Sequence, residues 1–226
     1  MLIFGLMQLL SLTEENYIKA IYSIQHSNGT GEVSVNEIAE KMQTRPATVT
    51  DMLRKLSEKA LIHYEKYKKV QLTAPGTKTA LSILRKHRLW ETFLYQRLNF
   101  SWDEVHEVAE QLEHIHSAKL IERLDEFLGF PEYDPHGDPI PKPNGDVPVS
   151  TAKLLSEIKS GDKCKIVAVK DTTSPFLRQL QRYNLTIGCR LTVLERLPFD
   201  GSIIVRTEKE EQIQLSEKIA VNLLVL

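Results

Sequence analysis

A stretch dense in proline divides this chain and limits what either side of it can fold into. Six of the ten prolines lie within residues 131–148. A regular helix or sheet does not run through such a stretch, because proline has no amide hydrogen and its ring fixes φ. Apolar residues recur at helical spacing before it and alternate with polar residues after it. The pattern predicts an α+β chain whose helical and β-rich parts are joined by a linker or an ordered, irregular strap.

The length and composition are those of a globular protein with more than one domain. A chain of 226 residues is long enough for two domains, or for two with a helical connector. Two cysteines, Cys164 and Cys189, are too few for a disulfide framework, which favours a reducing cytoplasm. The apolar start MLIFGLMQLL is too short to span a bilayer and lacks the marks of a signal peptide, and translation starting at Met7 is an equal alternative. We therefore expect a cytoplasmic protein without a membrane partner.

The charges are segregated along the chain, although the net charge is only −1. Residues 45–69 hold seven basic residues against three acidic ones, and residues 101–150 hold three basic against twelve acidic. A basic segment followed by an acidic one indicates a face that binds a polyanion beside a face that binds cations.

The basic segment has the pattern of a helix-turn-helix followed by a hairpin. Two short amphipathic helices, Val33 to Met42 and Ala47 to Lys59, are separated by Arg45-Pro46, and an alternating segment with a basic turn follows. The second helix would enter a DNA major groove and the hairpin would form a wing on the adjacent backbone. The candidate DNA-contacting residues are Arg45, Ala47, Thr48, Thr50, Asp51, Arg54, Lys55, Lys66, Lys68 and Lys69. The alternative is an ordinary three-helix bundle with a charged, solvated face.

The remaining regions are predicted to be helical and then β-rich. Helices are expected from about Pro75 to Leu98 and from Ser101 to Leu128. Five candidate strands after about residue 155, with a short helix around Pro175 to Tyr183, favour a small barrel. The predicted domains are residues 1–74 for DNA binding, residues 75–148 for dimerisation and metal binding together with the strap, and residues 149–226 for the barrel.

Imidazoles and carboxylates recur at helical spacing in the segment EVHEVAEQLEH. His106 precedes Glu110 by four residues, and Glu113 and His114 follow Glu110 by three and four, so the four side chains would share one helix face at about 3.6 residues per turn. Nitrogen and oxygen ligands without a thiol suit a divalent transition metal better than a structural zinc cage. The alternatives are an exposed acidic helix, a catalytic metal site, and a storage or adaptor protein. The HExxH and HxxEH patterns of metallohydrolases are absent.

Five segments together resemble the iron- and manganese-dependent repressors of the diphtheria toxin repressor family. They are SLTEENYIKAIYSI, ATVTDMLRKL, RKHRLWETFL, EVHEVAEQLEH and DPHGDPIP. The resemblance covers nearly the whole chain and implies a winged helix-turn-helix domain, a helical dimerisation domain and a terminal SH3-like, FeoA-like β-barrel. It implies a DNA-binding protein and not an enzyme.

The resemblance also implies two metal sites, with one or two ions in each subunit. The primary site would consist of Asn16, Glu110, Glu113 and His114, and the ancillary site of His87, Glu91 and His106. Iron-selective relatives have Met and Cys where this chain has Asn16 and Glu110, and manganese-selective ones have Asp and Glu. Glu110 therefore favours Mn²⁺, with Fe²⁺ as the alternative, because hard oxygen ligands suit both ions.

Three departures from the family pattern bear on these sites. Lys19 stands where compact manganese sensors carry a further acid, which argues against their binuclear arrangement. The positions that supply barrel ligands in iron-type members hold Thr173 and Phe176, so Asp171 or the Thr173 hydroxyl would have to substitute. Some streptococcal-type relatives have Cys-Pro-His in the strap where this chain has Asp134-Pro135-His136, so Asp134 and His136 are further candidate ligands that would complete the primary site, unless they form an ordinary turn.

The function that the resemblance implies is metal-activated repression. Metal at the primary site would tie the first helix to the dimerisation helix, and a homodimer would then bind a palindromic operator and control genes of metal uptake and homeostasis. A metallohydrolase, or a metal-storage or adaptor protein that does not bind DNA, remains the alternative.

Overall fold

The computed structural model describes residues 10–29, 31–65 and 69–226. The helices are α1 (Leu12–Asn28), α2 (Val35–Lys41), α3 (Pro46–Glu58), α4 (Ala74–Leu98), α5 (Val105–Leu112), α6 (Ala118–Phe127), α7 (Ser174–Arg182) and α8 (Glu217–Ala220). The strands are β1 (Ile62–His63), β2 (Gln71–Leu72), β3 (Lys153–Leu154), β4 (Lys163–Val169), β5 (Arg190–Arg196), β6 (Ile203–Thr207), β7 (Gln212–Leu215) and β8 (Leu223–Val225). Over the described part of the chain, no helix has the length and apolar character that crossing a membrane requires.

The chain folds into two compact units. The first unit consists of the residues up to Lys86 with two short later segments, Glu113–His116 and Pro141–Gly145. The second unit consists of His87–Leu112, Ser117–Ile140 and Asp146–Leu226.

In the first unit, local sequence explains where each of the first three helices begins. Ser11 and Ser34 form capping boxes with Glu14 and Glu37, in which side chain and backbone satisfy each other's hydrogen bonds. Pro46 occupies the first turn of α3, where its missing amide hydrogen costs nothing. The apolar faces of α1–α4 meet in one core with the residues of the hairpin. This core contains Tyr17, Ile18, Ile21, Val33, Ile38, Ala39, Val49, Leu53, Leu56, Leu61, Ile62, Val70, Ala80 and Ile83.

The predicted hairpin is present as a short antiparallel pair. Ile62 pairs with Leu72 and His63 with Gln71. An isolated bridge between Val33 and Val70 joins the hairpin to the start of the helix-turn-helix. The tip, which holds the predicted contacts Lys66 and Lys68, lies outside the described residues.

The prediction of one continuous helix from Ser101 to Leu128 is wrong. Helix α5 ends at Leu112, and α6 begins at Ala118. Ser117 caps α6 by accepting a hydrogen bond from the Leu120 amide, and such a cap requires non-helical backbone at Ser117. Glu113 and His114 therefore lie in the turn after α5 instead of on its face.

The C-terminal strands form one antiparallel sheet of six strands in the order β3-β8-β4-β5-β6-β7. The sheet is open, with β3 and β7 at its edges, whereas the sequence predicted a barrel. The edge strand β3 is only two residues long, which leaves little backbone for closure. The apolar face of α7, formed by Phe176, Leu177 and Leu180, packs into the same core as the strands.

The proline-dense strap is ordered and packs against β4. The Val169 amide donates to the His136 carbonyl oxygen at 3.0 Å. Gly137 adopts φ +85°, and a Cβ atom placed there would lie 2.0 Å from the Val167 carbonyl oxygen. The strap can approach the strand this closely only because residue 137 has no side chain.

We expect Gly137→Ala to reduce the free energy of unfolding of the second unit by about 2–4 kcal/mol, because the new Cβ would collide with backbone and the positive φ would be strained. Urea denaturation followed by tryptophan fluorescence measures this. Gly161→Ala is the control: its φ is +92° with no atom within 4 Å, so only the backbone cost of about 1–2 kcal/mol applies. Equal losses in the two variants would contradict the close approach.

Candidate functional site

A buried carboxylate on α4 is the centre of the titratable residues in the second unit. His87 and Glu91 lie one helical turn apart, and only 6% and 3% of their surfaces are exposed. His87 Nε2 is 3.0 Å from Glu91 Oε1. A carboxylate this deeply buried is stable only with partners that compensate its charge.

Helix α5 supplies the next two side chains. His106 Nδ1 lies 3.2 Å from Glu91 Oε1 and 3.1 Å from His87 Nε2. Glu110 Oε1 lies 3.7 Å from His106 Nε2 and 4.0 Å from His87 Nδ1. The three predicted ancillary residues thus come together. His87, His106 and Glu110 each offer a ligand atom within 4.8 Å of the other two.

The strap supplies a second group of possible ligands at the same carboxylate. Glu91, Asp134 and His136 are all buried, and each offers a ligand atom within 4.8 Å of the others. His136 Nδ1 is 3.8 Å from Glu91 Oε2. His136 Nε2 lies 3.0 Å from the Trp102 carbonyl oxygen, which can only accept, so Nε2 carries the proton. A neutral ring then presents the lone pair of Nδ1 on the Glu91 side, the tautomer that a metal ligand needs.

Asp134 also holds the strap in shape. Its Oδ1 accepts hydrogen bonds from the backbone amides of His136 at 2.8 Å and Asp138 at 2.9 Å. Arg88 Nε approaches Oδ2 at 3.8 Å, and Arg88 Nη1 donates to the Pro139 carbonyl oxygen at 2.5 Å. Oδ1 therefore serves the turn, and a ligand role for Asp134 would have to use Oδ2, which faces Arg88.

The electrostatics of this cluster favour a charged Glu91. Burial by itself raises the pKa of the Glu91 carboxyl, but the charge of His87 and the hydrogen bonds of His106, His136 and His87 outweigh it and hold the pKa well below its usual range. Burial raises the pKa of Asp134 well above its usual range, and the negative charge of Glu91 adds to this. Burial lowers the pKa of His136, yet its close approach to Glu91 and the charges of Glu91 and Asp134 raise it above the ordinary value overall.

In the first unit, the turn after α5 meets α1. The Glu113 side chain is fully buried, and Lys19 Nζ lies 2.7 Å from its Oε1 and 2.8 Å from its Oε2. His114 Nδ1 is 2.5 Å from Oε2 of Glu15, a residue that is 4% exposed. His116 Nε2 is 3.8 Å from the other Glu15 oxygen. Glu15 was not among the predicted ligands, although it is next to the predicted ligand Asn16 in the sequence.

Asn16 has a free oxygen. Its Oδ1 is buried and has no hydrogen-bond partner among the described residues. Leaving a buried acceptor unpaired costs about 1–3 kcal/mol. Asn16 lies on α1 next to Glu15 and one turn before Lys19, the residues that contact His114 and Glu113. An unsatisfied amide oxygen is a hard donor that suits a divalent cation, and it lies on the helix that also carries Glu15 and Lys19.

The predicted DNA-contacting residues lie mostly on the surface at the start of α3. Arg45 is the N-cap residue, and Ala47, Thr48, Asp51, Arg54 and Lys55 are exposed. Thr50 is half-buried and donates its hydroxyl to the Pro46 carbonyl oxygen at 3.0 Å. Arg54 Nη1 pairs with Asp51 at 3.3 Å, an exposed contact that DNA phosphates can replace at little cost. Lys69 is exposed at the hairpin.

The remaining candidate ligands lie in the C-terminal sheet domain. Asp171 is half-buried, its Oδ1 accepts from the Thr173 amide at 2.9 Å, and it joins neither of the ligand groups found among the described residues. Phe176 is part of the apolar core. Arg88, which sequence reasoning did not single out, holds the strap that carries Asp134 and His136.

Three family descriptions match successive parts of the chain. They are "Iron dependent repressor, N-terminal DNA binding domain" over residues 9–70, "Iron dependent repressor, metal binding and dimerisation domain" over residues 73–142, and "FeoA domain" over residues 153–226.

Similar proteins of nearly the same length are known. The "Iron-dependent repressor IdeR" of Mycobacterium tuberculosis (strain ATCC 25618 / H37Rv) is 31% identical over 205 residues, which cover 85% of this chain and 88% of that protein. The IdeR of Mycobacterium leprae (strain TN) is 28% identical over 221 residues, 92% of this chain and 94% of the relative. A solved "Manganese-dependent transcriptional repressor complex with manganese" is 36% identical, with a TM-score of 0.84 and coverage of 94% of this chain and 99% of that one.

We expect Glu91→Gln to lower the pKa of His136, because the variant removes the charge that raises it. A raised pKa means that the imidazolium stabilises the fold below the pKa of an unfolded histidine, about 6.5, and that this contribution disappears as the pH rises through the folded-state value. In metal-free protein, Glu91→Gln should therefore cost more stability at pH 6 than at pH 8.

Urea denaturation at both pH values measures the difference, and proton NMR of the imidazole follows the pKa of His136 directly. Glu104→Gln, which changes an exposed carboxylate of the same unit, is the control. A loss of stability that is the same at pH 6 and pH 8 would show that Glu91 and His136 are not coupled.

Proposed function

The chain belongs to the iron-dependent repressor family, and we propose that a homodimer of it binds a palindromic DNA operator when Mn²⁺, or alternatively Fe²⁺, is bound. Members of this family are DNA-binding, metal-dependent transcriptional repressors and not enzymes. A metallohydrolase is accordingly no longer a candidate.

The observation that carries the proposal is the convergence of ligand groups on Glu91. One carboxylate is shared by His87 and His106 on one side and by His136 and Asp134 on the other. A carboxylate with two oxygens and neighbours on both sides can contribute to either of two adjacent ion sites. We assign His87, Glu91 and His106, with Glu110 beside them, to the ancillary site, and Asp134 and His136 to its continuation in the strap.

Asn16, Glu113 and His114 are proposed as the primary ligands. Support comes from the unsatisfied Asn16 oxygen and from the burial of Glu113. We add Glu15 to this set because its carboxylate touches His114. The family resemblance also assigns Glu110 to the primary set, but its carboxylate lies 3.7 Å from His106 and 4.0 Å from His87, so we place it in the ancillary site. Asp171 has no such support beyond its place in the sequence.

The donor atoms favour a hard cation. The candidate ligands are carboxylate oxygens, imidazole nitrogens and one amide oxygen, which suit Mn²⁺ and Fe²⁺. The two cysteines, Cys164 and Cys189, lie in the C-terminal sheet domain and join neither ligand group of the described residues. The manganese complex of a repressor that is 36% identical favours Mn²⁺. When bound, the ion supplies the positive charge that allows several buried carboxylates to share one site.

DNA recognition is assigned to α3 and the hairpin. Exposed hydroxyl and cationic side chains at the start of a helix can reach base edges and phosphates in a major groove. Arg54 and Lys55 provide the long cations, and Lys69 provides a backbone contact from the wing. Repression of genes for metal uptake places the protein in the cytoplasm with the chromosome.

The dimer is assigned to the helical part of the second unit. Its helices and the segment after α6 expose large apolar side chains at Leu98, Leu120, Phe127 and Phe130, which are 39–66% exposed. Single exposed apolar residues are normal on a protein surface, but several in one part of the chain favour an interface.

We expect operator binding to depend on metal and on Glu113. With Mn²⁺ present, the dissociation constant for a duplex selected from a random pool should be lower than in chelator by about 5–150-fold. Glu113→Ala should remove this difference, because it deletes a buried ligand. Fluorescence anisotropy measures both. Glu107→Ala, an exposed acid on α5, is the matched control.

The same titration tests the DNA-binding surface. Arg54→Ala should weaken Mn²⁺-dependent binding by about 1–3 kcal/mol and leave Mn²⁺ binding intact. Affinity should also fall steeply with salt, as phosphate contacts require. Operator binding that is unchanged by chelator and by Glu113→Ala would overturn the proposed function. If neither Arg54→Ala nor salt changes the affinity for DNA, the alternative of a metal-storage or adaptor protein would be favoured instead.

We expect Phe127→Glu to weaken dimerisation by about thirty-fold or more, because it places a charge in an apolar contact. Sedimentation equilibrium measures the association constant. Phe199→Glu, at a fully exposed position of the C-terminal sheet domain, is the control and should have no effect. A Phe127→Glu protein that dimerises like the wild type would exclude this face as the interface.

A further inference from the structure

Two lysines lie among the acidic residues that surround the proposed primary ligands. Lys86 is 8% exposed, and the Lys19 side chain is 14% exposed. Buried lysines are uncommon, because taking an ammonium ion out of water is costly unless it has a partner. Both have such partners in the first unit, since Lys19 contacts Glu113 and the charges of Glu15 and Glu113 act on Lys86.

We propose that the Lys19 ammonium is a built-in cation that holds Glu113 in the metal-free protein and is displaced when the regulatory metal binds, so that Lys19 sets the metal concentration at which the protein responds. This rests on the proposed function in one respect only, that Glu113 is a metal ligand.

Both carboxylate oxygens of Glu113 contact the Lys19 ammonium. Lys19 Nζ is 2.7 Å from Oε1 and 2.8 Å from Oε2, so one cation spans both. A divalent ion binds carboxylate oxygens at about 2.0–2.2 Å and uses the same lone pairs. Two cations on one carboxylate would repel each other strongly in a buried site. Metal and ammonium therefore compete for Glu113.

The charges of the surrounding residues lead to the same conclusion. With the imidazoles of His114 and His116 counted as neutral, Glu15 and Glu113 carry two negative charges, and Lys19 and Lys86 carry two positive ones that cancel them. A divalent ion added to this neutral group would leave two uncompensated positive charges in a buried place. Moving one ammonium into water removes half of that excess.

Lys19 is the lysine that can leave. Lys19 is half-buried whereas Lys86 is buried, and the flexible four-carbon stem of Lys19 can carry the ammonium to water while the stem stays packed. Lys86 is more buried, and burial lowers the pKa of its ammonium while the charges of Glu15 and Glu113 act in the opposite direction.

The test is a titration of the full-length protein with Mn²⁺ alone, without DNA, by competition with a fluorescent chelator. The binding step to compare is the one that Glu113→Ala abolishes. In Lys19→Met this step should strengthen by about ten-fold or more, because the competing cation is gone. In chelator, the same variant should have a lower Tm than the wild type, because Glu113 is then buried without its ammonium, and Mn²⁺ should raise that Tm by more than it raises the wild-type Tm.

Lys78→Met is the matched control, since it removes an exposed lysine from the same unit and should change neither quantity. Lys19→Gln repeats the test if the methionine variant does not fold. An affinity for Mn²⁺ that is unchanged or weaker in both Lys19 variants overturns this inference, as does a Glu113→Ala protein that loses no binding step. Wild-type DNA binding that ignores metal would instead overturn the proposed function, whatever the lysine variants do.

Discussion

The buried carboxylate of Glu91 is the constraint on which the arrangement of the second unit depends. An ionised carboxylate with 3% of its surface exposed is tolerated only when its charge is compensated. The compensation comes from three places in the sequence: His87 on α4, His106 on α5 and His136 in the strap. Each element must therefore stay close to Glu91. The strap is in turn bound to β4 through the His136 carbonyl oxygen, so the same charge also links the helices to the C-terminal sheet.

The strap shows how a segment without regular structure becomes ordered. Its prolines prevent helix and regular sheet, so bonds between its own backbone groups, such as the one from the Ile140 amide to the Glu132 carbonyl oxygen, supply only part of its hydrogen bonds. Asp134 provides two of them from its side chain, and Arg88 provides another to a carbonyl oxygen. Gly137 then allows backbone to approach backbone. Because these contacts are specific, the segment is a fixed part of the ligand cluster and not a passive linker.

Local sequence patterns predicted the structural features that depend on residues close together along the chain. The family resemblance grouped His87, Glu91 and His106, and the four-residue spacing of His87 and Glu91 on α4 explains why those two meet. The end of α5 was not predictable from spacing, because acidic and histidine side chains continue at helical intervals past Leu112 while the Ser117 cap ends the regular pattern. The place of His136 beside Glu91 depends on how a non-periodic strap packs, which no periodicity encodes. The open sheet likewise follows from pairing at its edges, whereas strand count alone suggested a barrel.

In the metal-free protein, one proposed primary ligand has an oxygen without a partner and another is in an ion pair. This difference affects the metal concentration at which the site fills. Asn16 Oδ1 is buried without a partner, so a cation would satisfy an acceptor that now costs about 1–3 kcal/mol. Glu113 is already paired with the Lys19 ammonium, so a cation there must replace an existing ion pair. The first condition favours metal binding and the second opposes it. A site whose ligands all lacked partners would fill at the lowest metal concentrations. The Lys19–Glu113 ion pair raises the metal concentration that is needed to fill the site. A repressor that responds to a sufficiency of metal, and not to its mere presence, requires such a balance.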